Sequence, residues 1–195
     1  MSETTRRTVN VGALMAALLA ACVAFQLNAS MLSPALVTIE EELNTTSAAV
    51  GLTQTAFFTA AALFSLFLPR LGDIIGRKKV LTGMLVVLTI GSVVAALAPS
   101  IEVLFIARLI QGVSGPVVPL TLIMLRVEIR DAKLYGTLMG VITAVNGGIA
   151  GVDAIAGGYL AQNHGFASVF WAMAAVGAVA TVLLTGEERD GTEKK

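Results

Sequence analysis

The chain has 195 residues, of which 56% are hydrophobic and 13% are charged, and its formal net charge is zero. A water-soluble domain carries charged side chains on roughly a quarter of its residues, because its exterior has to be polar. The composition therefore excludes an ordinary soluble protein and predicts an exterior that faces hydrocarbon.

Six apolar segments follow one another along the chain. A helix of about 20 apolar residues crosses the roughly 30 Å hydrocarbon core of a bilayer. We expect transmembrane helices at residues 11–36, 47–69, 80–98, 102–125, 135–160 and 166–185. Short polar breaks separate them, so residues 1–195 are predicted to form one six-helix domain of an all-α membrane protein.

Basic residues predict the orientation, because loops rich in lysine and arginine stay in the cytoplasm. The two tails and the second and fourth loops contain Arg6, Arg7, Arg70, Arg77, Lys78, Lys79, Arg126, Arg130, Lys133, Arg189, Lys194 and Lys195. The first, third and fifth loops contain none. We therefore expect both termini in the cytoplasm, and Arg108 is left as the one basic residue inside a span.

Prolines and glycines add detail to the predicted spans. Pro34 in the first span and Pro116 and Pro119 in the fourth predict kinks, because proline removes a backbone donor. The fifth span contains Gly136, Gly140, Gly147, Gly148, Gly151, Gly157 and Gly158. Small residues let neighbouring helices approach closely, which indicates either a movable helix pair or ordinary bundle packing.

The segment between the second and third spans carries a recognisable pattern. Gly76 permits a tight reversal, Arg77 and Lys78 fix it on the cytoplasmic side, and Asp73 can pair with a cation or cap a helix. The spacing of Gly72, Asp73, Gly76, Arg77 and Lys78 resembles the cytoplasmic signature of the major facilitator superfamily, with departures at positions 69 and 74.

A second match lies in the fourth span, where Arg108, Gln111 and Gly112 resemble the Arg-x-x-Gln-Gly motif of the same superfamily. The resemblance implies a proton-coupled drug antiporter, in which this arginine takes part in proton transfer. An arginine inside a membrane is costly unless it is paired or hydrated. The alternative is therefore that Arg108 satisfies neighbouring polar groups and holds the bundle together.

Two positions depart from the antiporter pattern. Antiporters of this kind carry Gly-Pro-x-x-Gly-Gly in the fifth helix, whereas this chain has Asp153 at the start of the corresponding run and keeps the final Gly157-Gly158. The first span has Asn28 where the antiporters have an aspartate. Asp153 is consequently the only carboxylate well inside a predicted span.

Helix rise places several polar residues at similar depths. Arg108 and Asp153 both come out about 10 Å below the outer boundary, with Asn28 at a similar level and Gln111 one turn deeper. We therefore expect Arg108 and Asp153 to be ion-paired or bridged by water, with Asp153 as the site of proton or cation coupling. The alternative is a purely structural pair.

Other polar residues within the spans are candidates for a substrate path, although such groups also bond neighbouring helices. They are Gln26, Asn28, Ser30, Gln54, Thr55, Gln111, Ser114, Thr143 and Asn146. The sequence has no metal-ligand cluster, no nucleotide-binding glycine loop beside a strand and no nucleophile with a base. We expect no enzyme activity, no metal, no cofactor and no nucleic-acid partner.

The resemblance covers almost the whole chain and implies the N-terminal half of a transporter, built as two inverted three-helix repeats. One half supplies one wall of a central site. We therefore expect a second six-helix half, either a copy of this chain or a separate chain; a third explanation is that the sequence is a fragment.

The predicted function is secondary active transport by alternating access. We expect proton-driven efflux of small amphipathic compounds across a bacterial inner membrane, with lipid and substrate as partners. The alternative is a non-transporting fragment, or an assembly or modulatory partner of a full-length transporter.

Overall fold

Six helical spans of membrane-crossing length make up the computed structural model, which describes residues 10–192 and their side chains up to Gly186. The α-helices are α1 (Val11–Ser30), α2 (Leu36–Glu42), α3 (Ser47–Ile75), α4 (Arg77–Ala96), α5 (Ile101–Gln111), α6 (Val117–Glu128), α7 (Ala132–His164) and α8 (Phe166–Thr192). No strand occurs in residues 10–192, so the predicted all-α membrane fold is confirmed.

Two parts of the sequence prediction are not tested by the fold. The tail side chains used for orientation, Arg6, Arg7, Arg189, Lys194 and Lys195, lie outside the described residues and side chains. The cytoplasmic location of both termini and the inverted-repeat arrangement therefore stay predictions.

Two of the six spans are interrupted near prolines. A 3-10 turn at Ser33–Ala35 joins α1 to α2, and another at Gly112–Ser114 joins α5 to α6. Pro34 lies inside the first turn, and Pro116 follows the second after Gly115. Since proline has no N–H, a helix cannot continue its hydrogen bonds through these positions, and both predicted kinks are confirmed. Pro119 lies in the first turn of α6, where proline is tolerated, and causes no break.

The spans are longer than the apolar segments. They run Val11–Glu42, Ser47–Ile75, Arg77–Ala96, Ile101–Glu128, Ala132–His164 and Phe166–Gly186. Gly76 alone separates α3 from α4, and Gly165 alone separates α7 from α8, with φ angles of 105° and 80° that favour glycine. The polar segments 70–79 and 162–164, expected as breaks, are therefore helical apart from Gly76. Hydropathy indicates where a helix leaves hydrocarbon, and not where its hydrogen bonds end.

The core consists of two apolar clusters with a polar layer between them. Leu18 and Leu85 belong to one cluster, and Leu104 and Phe170 belong to the other. The buried polar residues that lie between the clusters along their helices are Asn28, Ser92, Arg108, Gln111, Ser114 and Asp153. The predicted common depth of Asn28, Arg108, Gln111 and Asp153 corresponds to this layer.

Helix α7 is the least enclosed of the six spans. At one end Gly157 lies against the backbone of Met31, where an added Cβ would be 2.6 Å from the carbonyl oxygen. In contrast, Gly136, Gly140, Gly147, Gly148 and Gly151 have no neighbour within 4 Å of an added Cβ. The glycine-rich helix is therefore packed near the polar layer and open along much of its length.

The break in the fourth span is pressed against α3 through two glycines. A Cβ added to Gly112 would meet the Cβ of Ala60, and one added to Gly115 would lie 2.6 Å from the Cα of Ala61. Backbone atoms cannot move aside as a flexible side chain does, so this contact depends on the absence of a side chain.

We expect Gly115→Ala to lower the free energy of unfolding by about 1 to 3 kcal/mol, because its methyl group would overlap the backbone of α3. Denaturant unfolding in detergent micelles measures the change. Gly136→Ala is the matched control, since its Cβ would point into open space, and it should leave the stability equal or slightly higher. Equal losses in the two variants would contradict the packing described for Gly115.

Candidate functional site

Arg108 is fully buried, and its guanidinium group is held by oxygen atoms that carry no formal charge. Nη1 donates to Oε1 of Gln111 at 2.7 Å, and Nη2 donates to the carbonyl oxygen of Asn28 at 2.9 Å and to Oε1 of Gln54 at 2.8 Å. The Cζ atom lies 4.2 Å from the ring centroid of Phe57, an attractive cation–π arrangement. Arg108 therefore ties the fourth span to the first and second.

The backbone oxygens in this network lie at the end of α1, where the first span breaks. Arg108 binds the carbonyl of Asn28, and Nε2 of Gln54 donates to the carbonyl of Ala29 at 2.7 Å. The last turn of a helix leaves carbonyl groups without intrahelical donors and carries a partial negative charge. The end of α1 thus supplies one of the three oxygens that bind Arg108, and the neighbouring carbonyl of Ala29 holds Gln54, which supplies another.

Gln111 extends the network to the third span. Its Nε2 donates to the hydroxyl of Ser92 on α4 at 2.9 Å while its Oε1 accepts from Arg108. Gly91 permits this approach, because an added Cβ there would lie 2.9 Å from the Cγ of Gln111. A single hydrogen-bonded chain therefore links four of the six spans within the polar layer.

Asp153 is bonded to Ser30 and not to Arg108. Its Oδ2 is in hydrogen-bond contact with the Ser30 hydroxyl, and its Oδ1 has no partner although the residue is only 2% exposed. The predicted direct ion pair between Arg108 and Asp153 is wrong for this structure, since the ion pairs of the described residues do not include it. The reason is geometric: Asp153 on α7 faces Ser30 of α1, whereas Arg108 reaches oxygens of α1, α3 and α5.

The predicted path residues are divided between the two charged groups. Gln111 belongs to the Arg108 network, whereas Gln26 belongs to the Asp153 side, with its Nε2 3.3 Å from Oγ of Ser30. The side chain of Asn28 turns back to its own helix and donates to the carbonyl of Ala24 at 2.8 Å. Asn146 is half-buried on α7, two turns before Asp153, and its Oδ1 has no hydrogen-bond partner.

Gln54 and Ser30 take part in the site more directly than the sequence indicated. Both are candidates in the sequence only as isolated polar groups of a substrate path, yet each is the direct partner of a buried charged residue. A polar amide or hydroxyl in an apolar span was the available signal. It did not reveal the partner, because that depends on how the helices pack.

The signature segment forms a closed turn at one end of α3 and α4. Arg77 donates to Oδ1 of Asp73 from Nη2 at 2.7 Å and from Nε at 3.1 Å. The N–H of Gly76 donates to the carbonyl of Gly72 at 3.0 Å, which ends α3, and Lys78 lies in the first turn of α4. The predicted reversal at Gly76 and the pairing of Asp73 with a cation are confirmed, and a role in conformational change stays a prediction.

An open groove of about 710 Å³ lies beside the Arg108 network. It is lined by Ser33, Leu36, Gly51, Gln54, Thr55, Phe58, Thr59, Ala62 and Leu63. Most of this lining is apolar, and Gln54 is the lining residue that also binds Arg108. A ligand in the groove would therefore touch a direct partner of the buried charge.

A six-span bundle that encloses a charged side chain in its polar layer has the architecture of a membrane transport protein, because intramembrane charges line the paths of ions or substrates. The family model described as Major Facilitator Superfamily matches residues 13–195. The chain belongs to this superfamily, which consists of transporters and not enzymes, and the resemblance seen in the two motifs is confirmed.

Three curated relatives illustrate the similarity. The "Uridine/deoxyuridine transporter" of Lactococcus lactis subsp. cremoris is 56% identical over 188 residues, covering 95% of this chain and 39% of that protein. "MFS-type transporter gkaD" of Penicillium citrinum is 30% identical, covering 92% and 31%, respectively. "MFS-type efflux pump MMF1" of Mycosarcoma maydis is 30% identical, covering 81% and 25%. The chain thus spans less than two fifths of the length of each of them.

We expect Arg108→Lys to destabilise the chain by about 2 to 4 kcal/mol, because an ammonium group cannot reach three oxygens at guanidinium spacing and leaves buried acceptors unpaired. Denaturant unfolding gives the stability, and hydrogen exchange of residues 28–36 should become faster. Arg126→Lys is the control: Arg126 is exposed over the ring of Tyr135, at 4.9 Å, and should change the stability by less than about 1 kcal/mol. Similar losses in both variants would contradict the network.

Proposed function

We propose that the chain is the six-helix half of a proton-coupled secondary transporter whose substrate is a pyrimidine nucleoside. The observation that carries the substrate is the 56% identity, along 95% of the chain, to a protein named as a uridine/deoxyuridine transporter. At this level of identity the lining of a substrate site is expected to be similar, although the matched region is 39% of that relative.

The polar layer supports a solute path through the bundle. Buried amides and a buried guanidinium are costly in hydrocarbon, and such groups are usually retained where a polar solute or ion has to pass. Gln54 joins this layer to the open groove, so it provides amide contacts beside the aromatic ring of Phe58. An amide and an aromatic ring suit a pyrimidine base, which offers both hydrogen-bonding edges and a stacking face.

Alternating access requires a second wall, and we propose that it is a second six-helix half, either a copy of this chain or a separate polypeptide. The open stretch of α7 supports this arrangement. Its glycines Gly136, Gly140, Gly147 and Gly151 leave room for close approach of another helix, which is how small residues act in membrane bundles. The membrane in which the two halves assemble is proposed to be a bacterial inner membrane.

Efflux of small amphipathic compounds is the second proposed function. The largely apolar lining of the groove, including Leu36, Phe58 and Leu63, favours it, as does the 30% identity to a protein named as an efflux pump. The two functions differ in substrate and direction while sharing the bundle and the proton as energy source.

Flux of labelled uridine into liposomes that contain the purified chain tests the proposal, with and without an imposed proton gradient. We expect uptake or exchange that depends on the gradient and is competed by deoxyuridine. A chimera that carries this chain in place of the matched segment of the Lactococcus transporter supplies a second half. Uridine flux absent from both would overturn the nucleoside assignment, and gradient-driven export of an amphipathic dye in its place would favour the second function.

Asp153→Asn should abolish the dependence of flux on the proton gradient, because the amide cannot bind and release a proton. Asp131→Asn is the matched control on the same helix: its side chain caps the start of α7 by accepting from the N–H of Leu134 at 2.6 Å, and asparagine caps equally well. The control should keep the gradient dependence. An unchanged gradient dependence in Asp153→Asn would overturn the assignment of Asp153 as the coupling residue.

A further inference from the structure

We propose that Gln54 recognises the N3–H and the C4 carbonyl of a uracil base in the groove beside α3, and so selects uridine over cytidine. The inference rests on the proposed nucleoside substrate and deepens it, because it names the residue that determines which pyrimidine base is accepted. It involves no charged group of the ligand and does not depend on the identity of the coupling ion.

The direction of the Gln54 amide is fixed by its two partners. Its Oε1 accepts from Nη2 of Arg108 at 2.8 Å, and its Nε2 donates to the carbonyl oxygen of Ala29 at 2.7 Å. A guanidinium group has only donors and a carbonyl oxygen only accepts, so an amide turned over would set donor against donor and acceptor against acceptor. Arg108 is itself held by Gln111 and by the carbonyl of Asn28, which keeps it in place.

One donor and one acceptor of this amide remain for a molecule in the groove. A side-chain amide has two N–H donors and two acceptor lone pairs, and the contacts with Ala29 and Arg108 use one of each. Gln54 is half-buried and lines the groove. The groove therefore presents an N–H group and a carbonyl oxygen side by side, in a fixed direction.

Uracil complements this pair of groups. Its N3–H is a donor and its C4 carbonyl is an acceptor, so Oε1 of Gln54 can accept from N3–H while Nε2 donates to the C4 oxygen. The C2 carbonyl lies beside the sugar, which leaves the N3 and C4 side as the open edge of the base.

Cytosine in the same place has the opposite pattern. Its N3 is an acceptor and its C4 carries an amino donor, so both contacts with Gln54 become repulsive. Cytosine would match only after it is turned over and displaced along its edge, which moves its sugar away from the position of the uridine sugar. A site built around a hydrogen-bonding edge rejects a ligand that leaves its polar groups unpaired.

The rest of the groove suits a neutral nucleoside. Its lining residues are all uncharged, and they include three hydroxyl groups, those of Ser33, Thr55 and Thr59, which can bond a sugar. Phe58 is 49% exposed and follows Gln54 by one turn of α3. Its ring can therefore contact the face of a base whose edge meets the amide.

Competition against labelled uridine tests the inference in the unmodified 195-residue chain in lipid nanodiscs, and in the chimera with the Lactococcus transporter. We expect cytidine and 3-methyluridine to bind at least about tenfold more weakly than uridine, because both lack the N3–H donor. The matched control ligand is 5-methyluridine, an isomer of 3-methyluridine that keeps the N3–H, and it should compete better than 3-methyluridine. This series needs no variant of the protein.

Gln54→Glu tests the residue itself. A carboxylate keeps an oxygen for Arg108 and removes the N–H that donates to the C4 carbonyl, so the affinities for uridine and cytidine should come within about threefold of each other. Phe58→Leu should weaken both nucleosides and leave their ratio unchanged. Gln162→Glu is the matched control, because Gln162 is exposed near the end of α7 and outside the groove, and it should change neither affinity.

Equal competition by uridine, cytidine and 3-methyluridine would overturn the inference and leave the proposed nucleoside substrate in place. A preference for uridine that Gln54→Glu leaves unchanged would also overturn it. Absence of nucleoside binding from both the chain and the chimera would overturn the proposed function, and this inference with it.

Discussion

The structure depends on how a guanidinium group can exist in the middle of a membrane bundle. Hydrocarbon contains no hydrogen-bond acceptor for its N–H groups, so oxygen atoms of the protein must surround it. In this chain two of the oxygens come from glutamine amides and one from the backbone of α1, where the first span is interrupted beside Pro34. The broken helix and the buried arginine therefore need each other, since the break provides unpaired carbonyls and the arginine provides the donors and the charge that satisfy them.

This solution has a consequence for the second buried charged residue. Arg108 donates to neutral oxygens from α1, α3 and α5, and Asp153 meets Ser30 on α1. The two groups reach neighbouring positions of the same helix from different sides of the network.

The bundle combines tight helix reversals with two open surfaces. Single glycines at positions 76 and 165 reverse the chain between long helices, so these helix pairs have no long flexible loops. The groove beside Gln54 and the open stretch of α7 are the places where the bundle is least enclosed. Both lie next to a member of the polar layer, which places the least packed surfaces beside the residues that carry charge.

The sequence by itself determined that the exterior of the bundle faces lipid. It also determined the number of spans, the helix breaks and the family. These follow from local properties: runs of apolar residues, prolines without a donor, and motif residues at fixed spacing. It also indicated that Arg108, Gln111, Asn28 and Asp153 share one depth, because helix rise converts residue number into height. Helix ends were less well predicted, since polar residues outside the hydrocarbon can remain helical.

Only the tertiary structure decided which of the residues at that depth touch. Depth along the membrane normal is one coordinate, and the direction in which a side chain faces depends on helix rotation and on close contacts such as those at Gly91, Gly115 and Gly157. Charge alone favoured a pair between Arg108 and Asp153. Packing gave each of them a neutral partner, Gln54 and Ser30, because α3 and α7 contact α1 at different positions, and no periodicity in the sequence contains that information.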